Sequence, residues 1–146
     1  MDRRKFISTG CISCLSGGLL LSVMESCSAS KIINASIIDA DMIVPLKHFA
    51  GGKEHKSFKN YLVVQNDKLK YPICIYRIDE NTYHALLMRC THQGAELQVF
   101  GDKLQCPAHG SEFNNNGTVA GGPAANALRS LPVTITTQEL KISLRA

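Results

Sequence analysis

Residues 32–44 carry β-branched side chains in partial alternation and stop at Pro45. That pattern predicts a strand, closed by a residue that cannot donate to a ladder. Short apolar runs return at 61–64, 71–78 and 82–89. Asn66-Asp67 and Asp79-Glu80-Asn81 separate them, with side chains that bond to nearby backbone and favour turns. Further on, 97–100 and 103–105 flank Gly101-Asp102, the signature of a tight hairpin. A second hairpin is predicted from 131–137 and 140–144 around Gln138-Glu139, and the polar, glycine-marked stretch 50–59 reads as a loop. Six or seven short strands with no convincing helix after residue 30 predict an all-β fold, an antiparallel sandwich or barrel.

A chain of 146 residues can bury one ordinary core. With 45% hydrophobic and 19% charged residues it reads as a folded protein. The net charge of +4 is thinly spread. Lys53, Lys56 and Lys59 form the basic cluster of the body and have no aromatic platform around them, so no nucleic-acid partner is expected. The cluster reads as a solvated loop.

The first 30 residues have a different character. Arg3-Arg4-Lys5 precedes an uncharged run over 6–24, a basic n-region followed by a moderately apolar h-region. The paired arginines of Asp-Arg-Arg-Lys-Phe-Ile resemble a twin-arginine export signal, a route for already folded proteins. Val23-Met24-Glu25-Ser26-Cys27 resembles a lipoprotein cleavage site in which Cys27 becomes the lipidated first residue, although Met24 and Glu25 depart from the usual pattern. A retained membrane helix or simple cleavage are the alternatives, since the uncharged run is just long enough to span a bilayer. All three place the body outside the cytoplasmic membrane, on the periplasmic side or at another cell-envelope membrane. Two segments follow: 1–30, a signal or anchor, and 31–146, the folded domain. Cys11 and Cys14 fall inside the apolar run and read as filling rather than as a dithiol site.

The candidate chemistry lies in Cys90-Thr91-His92 and Cys106-Pro107-Ala108-His109. The hairpin around Gly101-Asp102 brings its two ends together, and one cysteine–histidine pair lies before it and one after. Two thiolates and two imidazoles suit a two-iron cluster with sulfur on one iron and nitrogen on the other. They also suit a single zinc ion, so an exported zinc-binding structural module is the alternative. The order Cys, His, Cys, His is unlike a zinc finger, and Pro107, Gly110 and Asn114-Asn115-Asn116-Gly117 disfavour the helix such a finger needs. His48, His55 and His84 have no companion at ligand spacing and read as surface or packing residues.

Cys90-Thr91-His92-Gln93-Gly94 and Cys106-Pro107-Ala108-His109-Gly110-Ser111 resemble the two cluster-binding boxes of the Rieske [2Fe–2S] protein family. The similarity continues through Phe113, Gly117 and Gly122-Pro123-Ala124, over about residues 32–146. It implies a Rieske-type sandwich with a small cluster-binding subdomain at about 90–124, and one-electron transfer through one [2Fe–2S] cluster. It also implies that Cys90 and Cys106 bind the buried iron and His92 and His109 the outer one. Gln93, Gly94, Pro107, Gly110, Ser111, Phe113, Gly122 and Pro123 would surround the cluster. Ser111 matches the family serine that raises the potential by hydrogen bonding, and Phe113 stands where high-potential members often have tyrosine. Ala95 and Ala108 stand where quinol-oxidising relatives have a disulfide. The chain is too short for an oxygenase's catalytic domain. It is expected to be an electron-transfer protein or oxidoreductase subunit rather than a complete enzyme. A haem cytochrome or a larger oxidoreductase subunit is its expected partner, with quinol as a further candidate.

Overall fold

The computed structural model describes residues 32–51 and 57–145. The signal or anchor predicted over 1–30, with Cys27, lies outside the described residues, as do Lys53, His55 and Lys56. Among the described residues no helix is long and apolar enough to cross a membrane.

The first strands are β1 (Ile33–Asn34), β2 (Ser36–Ile38), β3 (Asp41–Pro45), β4 (Ala50–Gly51), β5 (Ser57–Phe58), β6 (Tyr61–Gln65), β7 (Ile73–Arg77) and β8 (Tyr83–Leu87). The rest are β9 (Gln98–Phe100), β10 (Lys103–Gln105), β11 (Glu112–Asn114), β12 (Val119–Gly121), β13 (Ser130–Leu131), β14 (Val133–Ile135) and β15 (Glu139–Ser143). A single 3₁₀ turn, Leu46–Phe49, is the helical element among the described residues. β1 pairs with β6 in parallel, and the other paired strands run antiparallel.

This is the antiparallel β architecture that the sequence predicts, but cut into more and shorter strands. The single run expected over 32–44 is divided because Asp39 adopts φ 58°, a left-handed conformation that Asp tolerates better than most residues. The chain therefore folds back there, and β2 pairs antiparallel with β3 while β1 leaves for another sheet. The predicted loop at 50–59 contains a small ladder in which Ala50 faces Phe58 and Gly51 faces Ser57. Both predicted hairpins form, around Gly101-Asp102 and near Gln138.

Strand β7 explains the layering. Ile73, Cys74, Ile75 and Tyr76 are all buried, so the central sheet β1-β6-β7-β8-β13 is covered on both faces. Side chains alternate across a strand, so its even and odd positions serve different cores. Ile73 and Ile75, with Leu62, Val64 and Ala85, pack on Met42, Val44, Leu140 and Ile142 of the sheet β14-β15-β3-β2. Cys74 and Tyr76, with Val63 and Leu86, pack on Leu104 and Phe113 of the sheet β12-β11-β10-β9. Burying each large aliphatic side chain contributes about 1.5–3 kcal/mol before the cost of ordering the chain. The second core also takes in Cys90 and Cys106. The candidate site is thus anchored in a hydrophobic layer instead of hanging from surface loops.

Candidate metal centre

Strand β8 ends at Leu87, and Met88-Arg89 carry the chain on to Cys90. An isolated antiparallel bridge between Arg89 and Glu96, and a Leu97 N–H bond to the Met88 carbonyl at 3.0 Å, tie the two ends of the loop together. Inside it, the Cys90 N–H donates to the Ala95 carbonyl at 2.8 Å and the Gly94 N–H donates to the Cys90 carbonyl at 2.8 Å. The second loop repeats this closure. The Cys106 N–H donates to the Ser111 carbonyl at 2.8 Å, and the Gly110 N–H to the Cys106 carbonyl at 2.9 Å. Gly94 and Gly110 hold φ of 78° and 73°, which a side chain would strain. One turn design is used twice, with the histidine at the second position after Cys90 and the third after Cys106.

The hairpin β9–β10 pairs Gln98 with Gln105, and β10–β11 pairs Gln105 with Glu112. These registers set the two loops at the same end of the sheet. Cys90 and Cys106 are each 1% exposed. Burial pushes the Cys90 thiol up. Hydrogen bonds from the His92 backbone, the Cys106 thiol, the Ser111 hydroxyl and the Gln93 backbone more than offset this, so its pKa is held below the ordinary thiol value. The His92 and His109 rings lie edge to face, with centroids 5.0 Å apart at 87°. His92 is half-buried and His109 exposed. The His92 Nδ1 is buried without a hydrogen-bond partner. The four donors fall into two pairs, sulfur beside sulfur and nitrogen beside nitrogen. Among the described residues no three His, Cys, Asp or Glu side chains converge on one ion.

Ser111, Phe113 and Gly122 pack against the two loops. Ser111 is fully buried; its hydroxyl reaches Cys90 and accepts the Ala124 N–H at 3.2 Å. Phe113 is fully buried opposite Leu104. Gly122 approaches the second loop so closely that a Cβ there would stand 2.6 Å from the Gly110 oxygen and 2.6 Å from the Ser111 Cα. Gln93, Pro107, Gly110 and Pro123 are exposed at the rim, and Gly94 is half-buried. His84, set apart in the sequence reading, bonds through Nδ1 to the Asn115 carbonyl at 3.1 Å, a packing role.

Two supports were not legible in the sequence. The Tyr71 hydroxyl donates to the Gly94 carbonyl at 2.7 Å, and the Thr91 hydroxyl donates to the Asn126 carbonyl at 2.6 Å. Both link residues more than twenty positions apart and answer to no local motif. Among the described residues Cys74, Cys90 and Cys106 are all free thiols, so the loops are held without a disulfide.

A β protein with two matched cysteine–histidine turns over a buried thiol pair belongs to the class of small metal- or cluster-binding β domains. The sequence profile of the Rieske [2Fe-2S] domain matches residues 51–132, more than half of the chain, and the chain belongs to that family. It is 38% identical over 56 residues to the cytochrome b6-f complex iron-sulfur subunit 1 of Synechocystis sp. (strain ATCC 27184 / PCC 6803 / Kazusa), covering 37% of this chain and 32% of that protein. It is 36% identical over 75 residues to the chloroplastic cytochrome b6-f complex iron-sulfur subunit of Triticum aestivum, covering 50% of this chain and 29% of that protein. The chain thus spans about a third of the length of these curated relatives. Its fold is similar to the plasma membrane Rieske protein PetC3 from Synechocystis PCC 6803, with TM-score 0.50 and 24% identity over 57% of this chain and 86% of that one. It is also similar to the ferredoxin of carbazole 1,9a-dioxygenase from Nocardioides aromaticivorans IC177, with TM-score 0.51 and 20% identity over 71% of this chain and 97% of that one. Family membership supports one-electron transfer as the general role. It also fits the expectation of an electron-transfer domain rather than a complete enzyme.

Proposed function

We propose that the chain carries single electrons through a [2Fe–2S] cluster, with Cys90 and Cys106 on one iron and His92 and His109 on the other. The pairing of the donors carries this reading. A buried imidazole nitrogen without a partner is costly, and a metal bond to His92 Nδ1 removes that cost. The network that lowers the Cys90 pKa prepares a thiolate ligand. When bound, a cluster with this ligation supplies a one-electron couple in the range of roughly −150 to +300 mV.

The surrounding residues tune and shield the site. The Ser111 hydroxyl stabilises negative charge on the Cys90 sulfur, which raises the potential. Phe113 fills the layer beside both cysteines without adding a second donor. An intermediate potential within the family range follows, and redox titration checks it. The exposed His109 ring and half-buried His92 form the face that a partner can approach. The zinc reading requires all four donors on one ion, an arrangement their pairing disfavours. Visible absorption and electron paramagnetic resonance of the reduced protein separate the two. A brown protein with a Rieske signal is expected, lost in Cys106→Ser; a colourless protein with stoichiometric zinc would establish the other reading.

The placement outside the cytoplasmic membrane rests on Arg3-Arg4-Lys5, the apolar run after it and Cys27. In this reading the chain is a tethered carrier or a subunit of a respiratory oxidoreductase, serving a haem cytochrome, a larger oxidoreductase subunit or a quinol. The mass of the mature N-terminal peptide, with and without Cys27→Ala, distinguishes lipidation from a retained helix.

A further inference from the structure

We infer that the groove beside His92 is the docking surface for an acidic redox protein, an inference that rests on the electron-transfer reading above. The groove has a volume of about 560 Å³ and runs past Arg89, Thr91, His92, Gln93, Asn126 and Arg129. Its charged lining is all of one sign, since neither Asp nor Glu lines it. Arg89, Gln93, Asn126 and Arg129 are exposed along its sides.

The sheet itself sets the two arginines together. The Leu87 N–H donates to the Arg129 carbonyl at 3.0 Å, continuing the β8–β13 ladder, and Arg89 lies two positions beyond Leu87. Leu87, Arg89 and Arg129 therefore share one face at the edge of the site. Neither guanidinium is ion-paired among the described residues. Arg129 Nη2 donates to the neutral Leu144 carbonyl at 3.4 Å. Arg89 rests on Gly94, where a Cβ would stand 3.4 Å from its Nε. Glu96 lies opposite Arg89 in the isolated bridge and is exposed, yet makes no ion pair with it among the described residues.

Arg89 and Arg129 thus line one groove with no ion pair to either guanidinium among the described residues. Each offers a planar fork suited to a carboxylate. Arg89 and Arg129 are the charged residues that line the groove, so this pair sets its sign. A protein carboxylate seated between Arg89 and Arg129 would bring its neighbours against the His92 side of the ligand face. The groove is open along its exposed sides, which suits a convex protein surface better than an enclosed small anion. Electrostatic matching of this kind acts on encounter rate and orientation more than on tightness.

The test uses the purified protein as isolated, with two probes, an acidic plastocyanin and a basic cytochrome c. Binding at low ionic strength is followed by NMR shift mapping and by calorimetry. The wild type is expected to bind plastocyanin through residues around Arg89, Asn126 and Arg129, with affinity that falls as salt is added. The R89Q/R129Q double variant should weaken that binding about three- to tenfold and flatten its salt dependence, as loss of two exposed charge pairs would. R89K/R129K should restore the salt dependence. Unchanged plastocyanin binding in the double variant, or tighter wild-type binding to cytochrome c, overturns the inference. Binding of inorganic phosphate in the groove without plastocyanin binding also overturns it, in favour of a small-anion site. The reduced-state resonance signal is recorded on the same samples. A normal signal with unaltered binding refutes the docking surface alone, whereas an absent signal refutes the electron-transfer reading and the redox role of the surface with it.

Discussion

Replacing Gly122 with alanine tests how the second cysteine–histidine loop is held. Gly122 has φ +85°, and an added Cβ would stand 2.6 Å from the Gly110 oxygen, 2.6 Å from the Ser111 Cα and 2.9 Å from the Ser111 nitrogen. All three are backbone atoms, so no side chain can swing aside. The left-handed conformation costs a residue with a Cβ about 1–2 kcal/mol, and overpacking adds about 1–3 kcal/mol. Two other glycines separate these terms. Gly101 also has positive φ, +62°, but nothing lies within 4 Å of its Cβ position, so G101A should lose only the conformational part. Gly121 has neither the unusual φ nor a close neighbour, so G121A should be near neutral. Thermal unfolding at one scan rate ranks them. G122A should lose on the order of 10 °C or more and G101A about half of that. Equal losses in G122A and G101A would refute the close-approach argument. A neutral G122A would refute the whole account of how Gly122 holds the second loop.

Other consequences follow from the buried hydroxyls and thiols. Tyr71→Phe removes the 2.7 Å bond to the Gly94 carbonyl and should cost about 0.5–1.5 kcal/mol in urea unfolding, with faster amide exchange confined to the first loop. Burial pushes the Cys74 thiol up to about 12, against an opposing hydrogen bond from Tyr76. The folded protein therefore retains this proton after the unfolded chain has lost it. The associated stability is complete below the ordinary thiol pKa and drains away as pH rises from about 9 toward about 12. Burial, then the neighbouring Cys74, raise the Tyr76 hydroxyl in the same direction. Cys74→Ala should accordingly flatten, without abolishing, the alkaline limb of a stability–pH curve; an unchanged limb would refute the burial argument. Leu104→Ala, at a fully buried position beneath both loops, should cost about 2–5 kcal/mol in urea unfolding.

The two boxes and the hairpin between them were legible because each depends on local chemistry. Gly101-Asp102 fixes a tight turn, and a glycine four residues after each cysteine permits the left-handed closure. Tyr61, Ile73 and Tyr83 begin strands close to where the apolar runs predict them. The division of 32–44 was not legible, because the alternation does not register a single left-handed Asp39. Nor was the allegiance of β1, which pairs in parallel with a strand some thirty residues away. Long-range choices of this kind depend on which sheet edge is free, and no window of sequence contains that information. The Tyr71 and Thr91 clamps escaped for the same reason. The second core was half-visible: β7 reads as a continuous apolar run, and only the third sheet explains why Cys74 and Tyr76 are as buried as the isoleucines between them.

The absence of a covalent bridge between the two loops has a consequence for where the domain can keep its shape. Its clamps are a phenol on a carbonyl, a threonine on a carbonyl and a glycine pressed against backbone, and none of them contains a bond that a thiol can break. A disulfide-clamped site loosens when its surroundings become reducing; these contacts have no such dependence. The two cysteine–histidine loops should therefore be equally well set before and after any passage between reducing and oxidising compartments. Closing these loops needs no disulfide-forming oxidant, and glutathione at cellular concentrations should leave their rigidity untouched.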